Sequence, residues 1–330
     1  MNGLFVASQR VSRVKKAYRA LILATCILAG PPAAQADNVD GAWSDLEDWP
    51  LIGLHAVLTP DGRVLTYGTK ADGQQTGYFI YDIWDPTAGL TGGHLTLDNV
   101  TQTDLFCSSQ IILPTTGDIL ITGGDNWTGS ATTHFGNNNT NYFSPDDNSL
   151  VRSSDDMHRA RWYASSTVLL NGEIYIQGGR NPDGDLPEVR QDDGSYRLLT
   201  GAPTSAYNYN YPRNFIAPDG RVFGYGADGN MYFVDPSGLG SLIGVGQFSS
   251  SVAGWTSSTA MFEPGRILQF GGNSTGTIVI DINGPTPRVT PGQSLSSRRM
   301  WVNATVLPDG KVLATGGSSV ENQLTGVNKM

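Results

Sequence analysis

A unit that recurs six times constrains this chain more than any other feature. In each copy a short apolar run leads into a turn carrying Gly, and a second apolar run follows. The first copy reads Leu54-His55-Ala56-Val57-Leu58-Thr59-Pro60-Asp61-Gly62-Arg63-Val64-Leu65. The turn glycines fall at 62, 117, 172, 220, 265 and 310, at intervals of 55, 55, 48, 45 and 45 residues. Self-similarity at such a period marks one supersecondary unit laid down repeatedly, so the fold must be read unit by unit. Within each unit the turn predicts a β-hairpin, because a two-strand reversal needs a residue that tolerates positive φ.

Further strand candidates lie between the hairpins, at Tyr78 to Pro86, Met231 to Pro236 and Thr277 to Asp281. Four strands per unit, 41 glycines and only 15% charged residues predict an all-β chain. The spacing resembles the kelch motif and implies a β-propeller, with six repeat hairpins visible of an expected seven blades. The lead-in from Asp37 to Pro50 is expected to pack Trp43 and Trp49 on the first unit. The polar stretches Asn137 to Asn141 and Asp183 to Asp185 are expected to be surface turns or lids. A short tail follows the sixth unit, so a propeller spanning 37–330 and incomplete at its C-terminus is expected.

The N-terminus reads as a processing signal. Arg10, Arg13, Lys15, Lys16 and Arg19 precede an apolar run from Ala20 to Gly30, and Ala34-Gln35-Ala36 is a small-x-small cleavage site. A signal peptide over 1–36 and an exported protein, periplasmic or extracellular, are expected. The apolar run is short for a membrane span, which needs about 20 residues. Removing the segment takes five of the 21 basic residues and none of the 30 acidic ones, leaving a net charge near −14. A field of that sign repels phosphates and argues against nucleic acid or anionic membrane as partner. Cleavage also removes Cys26, so Cys107 stays alone and cannot be half of an internal disulfide. Read by itself, such a thiol is a small buried hydrophobe.

Counting back from the turn glycines puts Tyr163, Tyr211 and Trp301 nine residues before Gly172, Gly220 and Gly310. Cys107 stands ten before Gly117, across a turn that is one residue longer, so the registers coincide. Cys107 and Tyr163 are therefore expected on adjacent units, near a common axis.

The stretches Phe106-Cys107 and Arg161-Trp162-Tyr163, one unit apart on this background, resemble the copper-radical oxidases typified by galactose oxidase and glyoxal oxidase. The resemblance implies that Cys107 and Tyr163 are the catalytic pair, joined by a thioether, with Tyr163 as copper ligand and radical site. It implies a single copper ion and oxidation of a primary alcohol, aldehyde or carbohydrate by O2, which becomes H2O2. A sulfur beside the phenol oxygen makes the ring easier to oxidise, and copper suits mixed phenolate and imidazole donors. Phe106, Trp162, Tyr211 and Trp301 are candidate pocket-lining residues, with Trp127 and Tyr209 as further aromatic candidates. The complete protein is expected to be monomeric.

The family's remaining ligands are a Tyr-His pair in a later unit and a final His from a C-terminal domain. This chain has no Tyr-His dipeptide, and its histidines are His55, His94, His134 and His158. His55 is expected in the core or rim, His94 and His134 on solvated loops, and His158 on the approach to Tyr163 rather than as a ligand. Where the family's stacking Trp is expected, after Gly178-Gly179, stand Arg180-Asn181, so a stacking ring must come from elsewhere. With one of four ligands identified, the chain is expected to be impaired as an oxidase. The competing reading is a secreted, non-catalytic kelch propeller that binds carbohydrate or protein.

Overall fold

A computed structural model describes residues 44–320, apart from 74, 76–79, 129–130 and 181–184. Among them the regular structure is β, with two single-turn 3-10 segments at Pro86–Ala88 and Ser250–Val252. Five four-stranded antiparallel sheets follow one another along the chain, over 51–98, 109–152, 164–198, 213–247 and 257–291. A two-stranded pair, Asn303–Val306 with Val312–Thr315, comes last. All-β was the expectation, and all six hairpins form where the turn glycines placed them. Those glycines have φ between 69° and 89°, the left-handed region that the turns require.

Each sheet is a meander in which sequence neighbours pair. In the second sheet a small hairpin, Trp127–Thr128 with Ala131–Thr132, is inserted between the second and third strands. The predicted outer strands are present as Ile80–Trp84, Asn230–Asp235 and Thr277–Asp281.

The apolar runs become strands because each sheet has a neighbour to bury them against. Second strands such as Ile119–Thr122 and Val222–Tyr225 are buried at every position, as expected where a sheet is covered on both faces. The core is accordingly divided into layers between consecutive sheets. Leu65, Tyr67 and Ile83 of the first sheet meet Ile119, Ile121 and Phe143 of the second. Leu120 of the second meets Ile174 and Ile176 of the third. Tyr175 and Val189 meet Val222 and Tyr232 of the fourth, and Phe223 and Phe233 meet Ile267 and Ile280 of the fifth.

First strands also run beside one another. Ala164–Val168 lies between Ser109–Ile112 and Arg213–Ile216, and Ser257–Glu263 lies beside Asn303–Val306. Ser109 Oγ donates to Ser166 Oγ at 2.7 Å across one such contact. The first strands of the second, third and fourth sheets thus stand in a row, and those of the fifth sheet and the last pair adjoin.

Trp49 packs on the first sheet as expected, edge-on to Trp84 at 5.4 Å and to His94 at 4.5 Å. Trp43 lies outside the described residues, as do Asp183 and Gly184. The Asn stretch corrects the expectation of a surface turn. Asn137 and Asn141 are buried, and Asn141 belongs to the strand Thr140–Ser144. Asn137 Nδ2 donates to the carbonyls of Asp104 (3.1 Å) and Asp125 (2.6 Å), serving backbone that would otherwise be unpaired in the interior.

Candidate active site

Cys107, Tyr163, Tyr211 and Trp301 each stand one or two residues before a first strand. All four have left-handed backbones, with φ of 57°, 72°, 42° and 59°. For a side chain other than glycine this costs about 1–2 kcal/mol per residue, so surrounding bonds must hold it. The Tyr163 N–H donates to the Cys107 carbonyl at 3.0 Å, and the Tyr211 N–H to the Tyr163 carbonyl at 2.8 Å. Further along, the Trp301 N–H donates to the Thr256 carbonyl at 2.8 Å. The first three positions thus form a ladder running from sheet to sheet, with Tyr163 between the other two.

Their side chains converge. The Tyr163 ring stacks on Trp162, with centroids 4.4 Å apart and planes at 27°, and meets Tyr211 edge-on at 5.3 Å and 77°. Tyr211, Tyr163 and Trp162 are all close enough to Cys107 to bear on the titration of its thiol. The indole Nε1 is buried and makes no hydrogen bond of normal geometry. Burial pushes the thiol up to about 11, against the opposing pull of these donors. The Tyr163 and Tyr211 phenols are also held above the usual range, first by burial and then by Cys107. At neutral pH the cluster is therefore one thiol and two neutral phenols.

Arg161 fixes the approach to Tyr163. It is fully buried, and its guanidinium pairs with the equally buried Glu188 at 2.8 Å. It also donates to the carbonyls of Gly178 (2.7 Å) and Leu186 (2.6 Å). Glu188 in turn accepts from the backbone N–H groups of His158 (2.6 Å) and Arg159 (3.0 Å). Gly179 passes so close that a Cβ there would lie 2.8 Å from Arg161 Cα. Gly179 is thus needed for the approach of backbone to this arginine.

A second layer was not legible in the sequence. His134 stacks on Trp162 at 5.4 Å and 25°, with its Nδ1 3.5 Å from the buried Asp125 carboxylate. The Arg180 guanidinium lies 5.5 Å from the Trp162 centroid. Gln75 Nε2 donates to Asp125 Oδ2 (2.8 Å) and Asp104 Oδ2 (3.1 Å). Burial raises the Asp104 carboxyl to about 7, helped by the nearby Asp125 charge and opposed by hydrogen bonds from Phe106 N–H and Gln75. On the other flank Tyr67 hydrogen-bonds Ser108 Oγ and Gln110 Oε1, each at 3.1 Å, and His55 stacks on Tyr67 at 4.7 Å. The only sequence signals for this layer were the position of Asp104 inside Thr103-Asp104-Leu105-Phe106-Cys107 and that of Asp125 directly after Gly123-Gly124.

The other sequence candidates fall as follows. Phe106 contributes its carbonyl, which accepts from Asp125 N–H at 2.9 Å. Trp301 pairs edge-on with Trp255 at 5.3 Å, so its ring partner is not one of the Cys107 group. Tyr209 is exposed, and its carbonyl accepts from Gly179 N–H. Trp127 sits in the inserted hairpin.

Among the histidines, His55 is buried as expected and His134 is exposed on its loop. His94 is a correction. It lies in the strand His94–Asp98, and its Nδ1 is 2.7 Å from the wholly buried Asp82, a partner supplied by the adjacent strand. His158 turns to the Tyr196 carbonyl (Nε2 at 2.9 Å), on the outer strand of the third sheet.

Among the described residues no three His, Cys, Asp or Glu side chains are grouped to hold a metal ion. The Cys107 cluster offers two phenols and a thiol, while the nearby imidazole of His134 is engaged with Trp162 and Asp125. Copper centres of mixed phenolate and imidazole character need nitrogen donors as well. The residues present fit the covalent half of such a centre, the sulfur and the ring, and not a complete copper site.

The architecture is that of an all-β protein built from successive four-stranded sheets. It is similar in fold to a fungal alcohol oxidase of the AA5 family solved in complex with copper. That likeness has a TM-score of 0.72 at 20% identity, covering 87% of this chain and 64% of the oxidase. The chain thus spans less than two thirds of the oxidase's length. It is also similar to the protein YjhT, with a TM-score of 0.57 at 12% identity, covering 81% of this chain and 90% of that one. No family model matches the sequence, and no curated protein is similar to it. Among the described residues no helix is long and apolar enough to cross a membrane.

Proposed function

We propose that this chain is the propeller body, over 37–330, of an exported protein of the copper-radical oxidase kind, and that Cys107 and Tyr163 become joined by a thioether. The observation that carries this reading is the convergence of the thiol and the phenol from neighbouring first strands, both in strained backbone and tied by a direct N–H to carbonyl bond. Strain at two adjacent, chemically complementary residues is the mark of a functional constraint. The fold shared with an oxidase solved with copper supports the same assignment.

Joining the two forms one S–C bond to the ring carbon beside the phenol oxygen. One hydrogen leaves the sulfur and one leaves the ring, and their two electrons and two protons reduce O2 to H2O2. Copper, when bound, would supply one-electron chemistry next to the phenol. The role of this chain's own residues is to hold the reacting groups together. Trp162 covers the face of Tyr163 and takes the part of a stacking ring, and Arg161 with Glu188 fixes the segment that carries both. Small alcohols, aldehydes or carbohydrates are the proposed substrates of the complete assembly. Turnover by this chain alone is expected to be absent or slight, since the cluster lacks imidazole donors.

The test is intact mass after incubation with Cu(II) and air. Loss of two hydrogens, with Cys107 becoming inert to thiol reagents, supports the reading. Unchanged mass with an alkylatable Cys107 points instead to a non-catalytic scaffold.

A further inference from the structure

Outside the Cys107 group, two large apolar side chains stand exposed on backbone that is firmly held. Trp255 is 48% and Trp301 44% exposed, and their rings meet edge-on at 5.3 Å with planes at 79°. The geometry points to a binding site for a neutral carbohydrate, in which these two indoles form a corner that receives a pyranose ring. The proposal is independent of the thioether reading.

The chain around the indoles fixes their place. Trp255 lies in the turn before the strand Ser257–Glu263, and Trp301 in the turn before Asn303–Val306. The left-handed backbone of Trp301 is shared with the heads of other first strands, so it sets where the indole stands and not what it does. The anchoring of the two turns is more telling. The buried Arg213 directs Nη2 at the Gly254 carbonyl (2.8 Å), the Ser257 carbonyl (3.2 Å) and Ser257 Oγ (3.1 Å), on either side of Trp255. The Gly254 N–H donates to the Ala227 carbonyl at 2.8 Å. Beside Trp301, Met300 and Ser318 exchange both backbone bonds at 2.8 Å, and Arg299 Nη1 donates to the Gly316 carbonyl at 2.9 Å. The Trp301 N–H is itself taken by the Thr256 carbonyl, which ties one turn to the other. Exposed indoles on fixed backbone make a preorganised surface, because little ordering remains to be done on binding.

Size and surroundings set the class of ligand. From residue 244 to residue 305 no other large apolar side chain is exposed, so the patch is two rings in a polar field. Covering both would remove roughly 200 Å² from water, against about 800 Å² per partner in a stable protein interface. A protein partner is therefore poorly matched. A pyranose presents a face of C–H groups, which suits the electron-rich face of an indole, and turns its hydroxyls outwards to polar neighbours. Asn273 and Arg298 are such neighbours: both are exposed, and Arg298 Nη1 donates to Asn273 Oδ1 at 2.7 Å. They flank the bridge between Gly272 and Arg299, two residues before Trp301. The net charge of −9 opposes an anionic ligand and leaves a neutral one unaffected.

The experiment titrates the full chain with cellohexaose, xylohexaose and mannohexaose, without copper, following tryptophan emission and heat. The parent is compared with Trp255→Ala, Trp301→Ala and Tyr163→Phe, each checked for folding by its urea midpoint. At least one hexaose is expected to bind, and either tryptophan change to weaken it about tenfold or more, the loss typical of an aromatic anchor. Tyr163→Phe is expected to leave the affinity unchanged, which sets this site apart from the Cys107 group. Saturation-transfer NMR on the parent, which needs no variant, is expected to pass magnetisation from the indole protons to the C–H face of the sugar.

Failure of all three sugars to bind overturns the proposal, as does binding that survives both tryptophan changes. An affinity lost in Tyr163→Phe also overturns it, by moving the sugar to the Cys107 group. So does self-association of the parent that both tryptophan variants abolish, since the indoles would then meet a second copy. The mass test of the thioether is a separate measurement, and either result there leaves this one standing.

Discussion

Glu188→Gln is the most informative single perturbation, because it neutralises one partner of an ion pair in which neither side chain has any exposure. Removing one partner of a buried pair typically costs about 3–5 kcal/mol, since the remaining charge stays in the interior uncompensated. Two features bear on the size here. The Arg161 guanidinium keeps its bonds to the Gly178 and Leu186 carbonyls, which limits the loss. Glutamine can also accept only part of what the carboxylate takes from the His158 and Arg159 N–H groups. The expected destabilisation therefore lies near the lower end, about 3 kcal/mol. With a urea slope of about 3 kcal/mol per M, the unfolding midpoint falls by roughly 1 M. The double change Arg161→Met with Glu188→Leu removes both charges but strands the Gly178 and Leu186 carbonyls and the His158 and Arg159 N–H groups, so it is expected to cost more than Glu188→Gln. Urea titrations followed by tryptophan fluorescence measure all three proteins. A midpoint in Glu188→Gln within 0.2 M of the parent, on the order of a surface substitution, would refute the argument that this pair holds the Tyr163 segment in place.

Other outcomes follow from the same structure. Gly179→Ala puts a Cβ against Arg161 at a residue with φ of 111° and is expected to lower the urea midpoint more than Gly62→Ala, where a Cβ meets nothing within 4 Å. Both substitutions carry positive-φ strain, so the difference between them reports the clash. Asp104 has a folded-state value near 7, raised mainly by burial, so the unfolded chain releases its proton first as pH rises. Stability is then expected to fall between about pH 4 and pH 7, and Asp104→Asn should flatten that decline in urea midpoints taken across this range. His55 has the opposite sign. Burial lowers it to about 4, so the unfolded chain takes up the proton first as pH falls. Stability on this account is retained above about pH 6.5 and lost as pH drops towards 4, and His55→Phe, which keeps the stack on Tyr67, should lose less.

The sequence specified the hairpins because their signal is local: a glycine whose φ must be positive, flanked by runs that have only one way to be buried. It specified Cys107 and Tyr163 as neighbours for a related reason, since counting residues from a turn measures position along a strand. What it concealed was supplied from a distance. The Asn137 to Asn141 stretch looks like solvent-facing loop until the Asp104 and Asp125 carbonyls that need its amides come into view. His94 looks solvated until the neighbouring strand brings Asp82 against it. Trp162 was read as pocket lining because nothing in a linear pattern says that a ring will fold back over the residue following it. Gln75 and Asp104 come from separate loops, and Asp125 and His134 flank the inserted hairpin, with no common spacing to betray them.

The left-handed residues at the head of the first strands have a consequence for how such a protein can change. Each is held by backbone bonds that make no reference to its side chain, and thiol, phenol and indole occupy equivalent places with nearly the same φ. The scaffold thus behaves as a set of interchangeable sockets. Altering its chemistry needs no new loop and no repacked core, only a different residue in one socket, chosen with regard to its occupied neighbours.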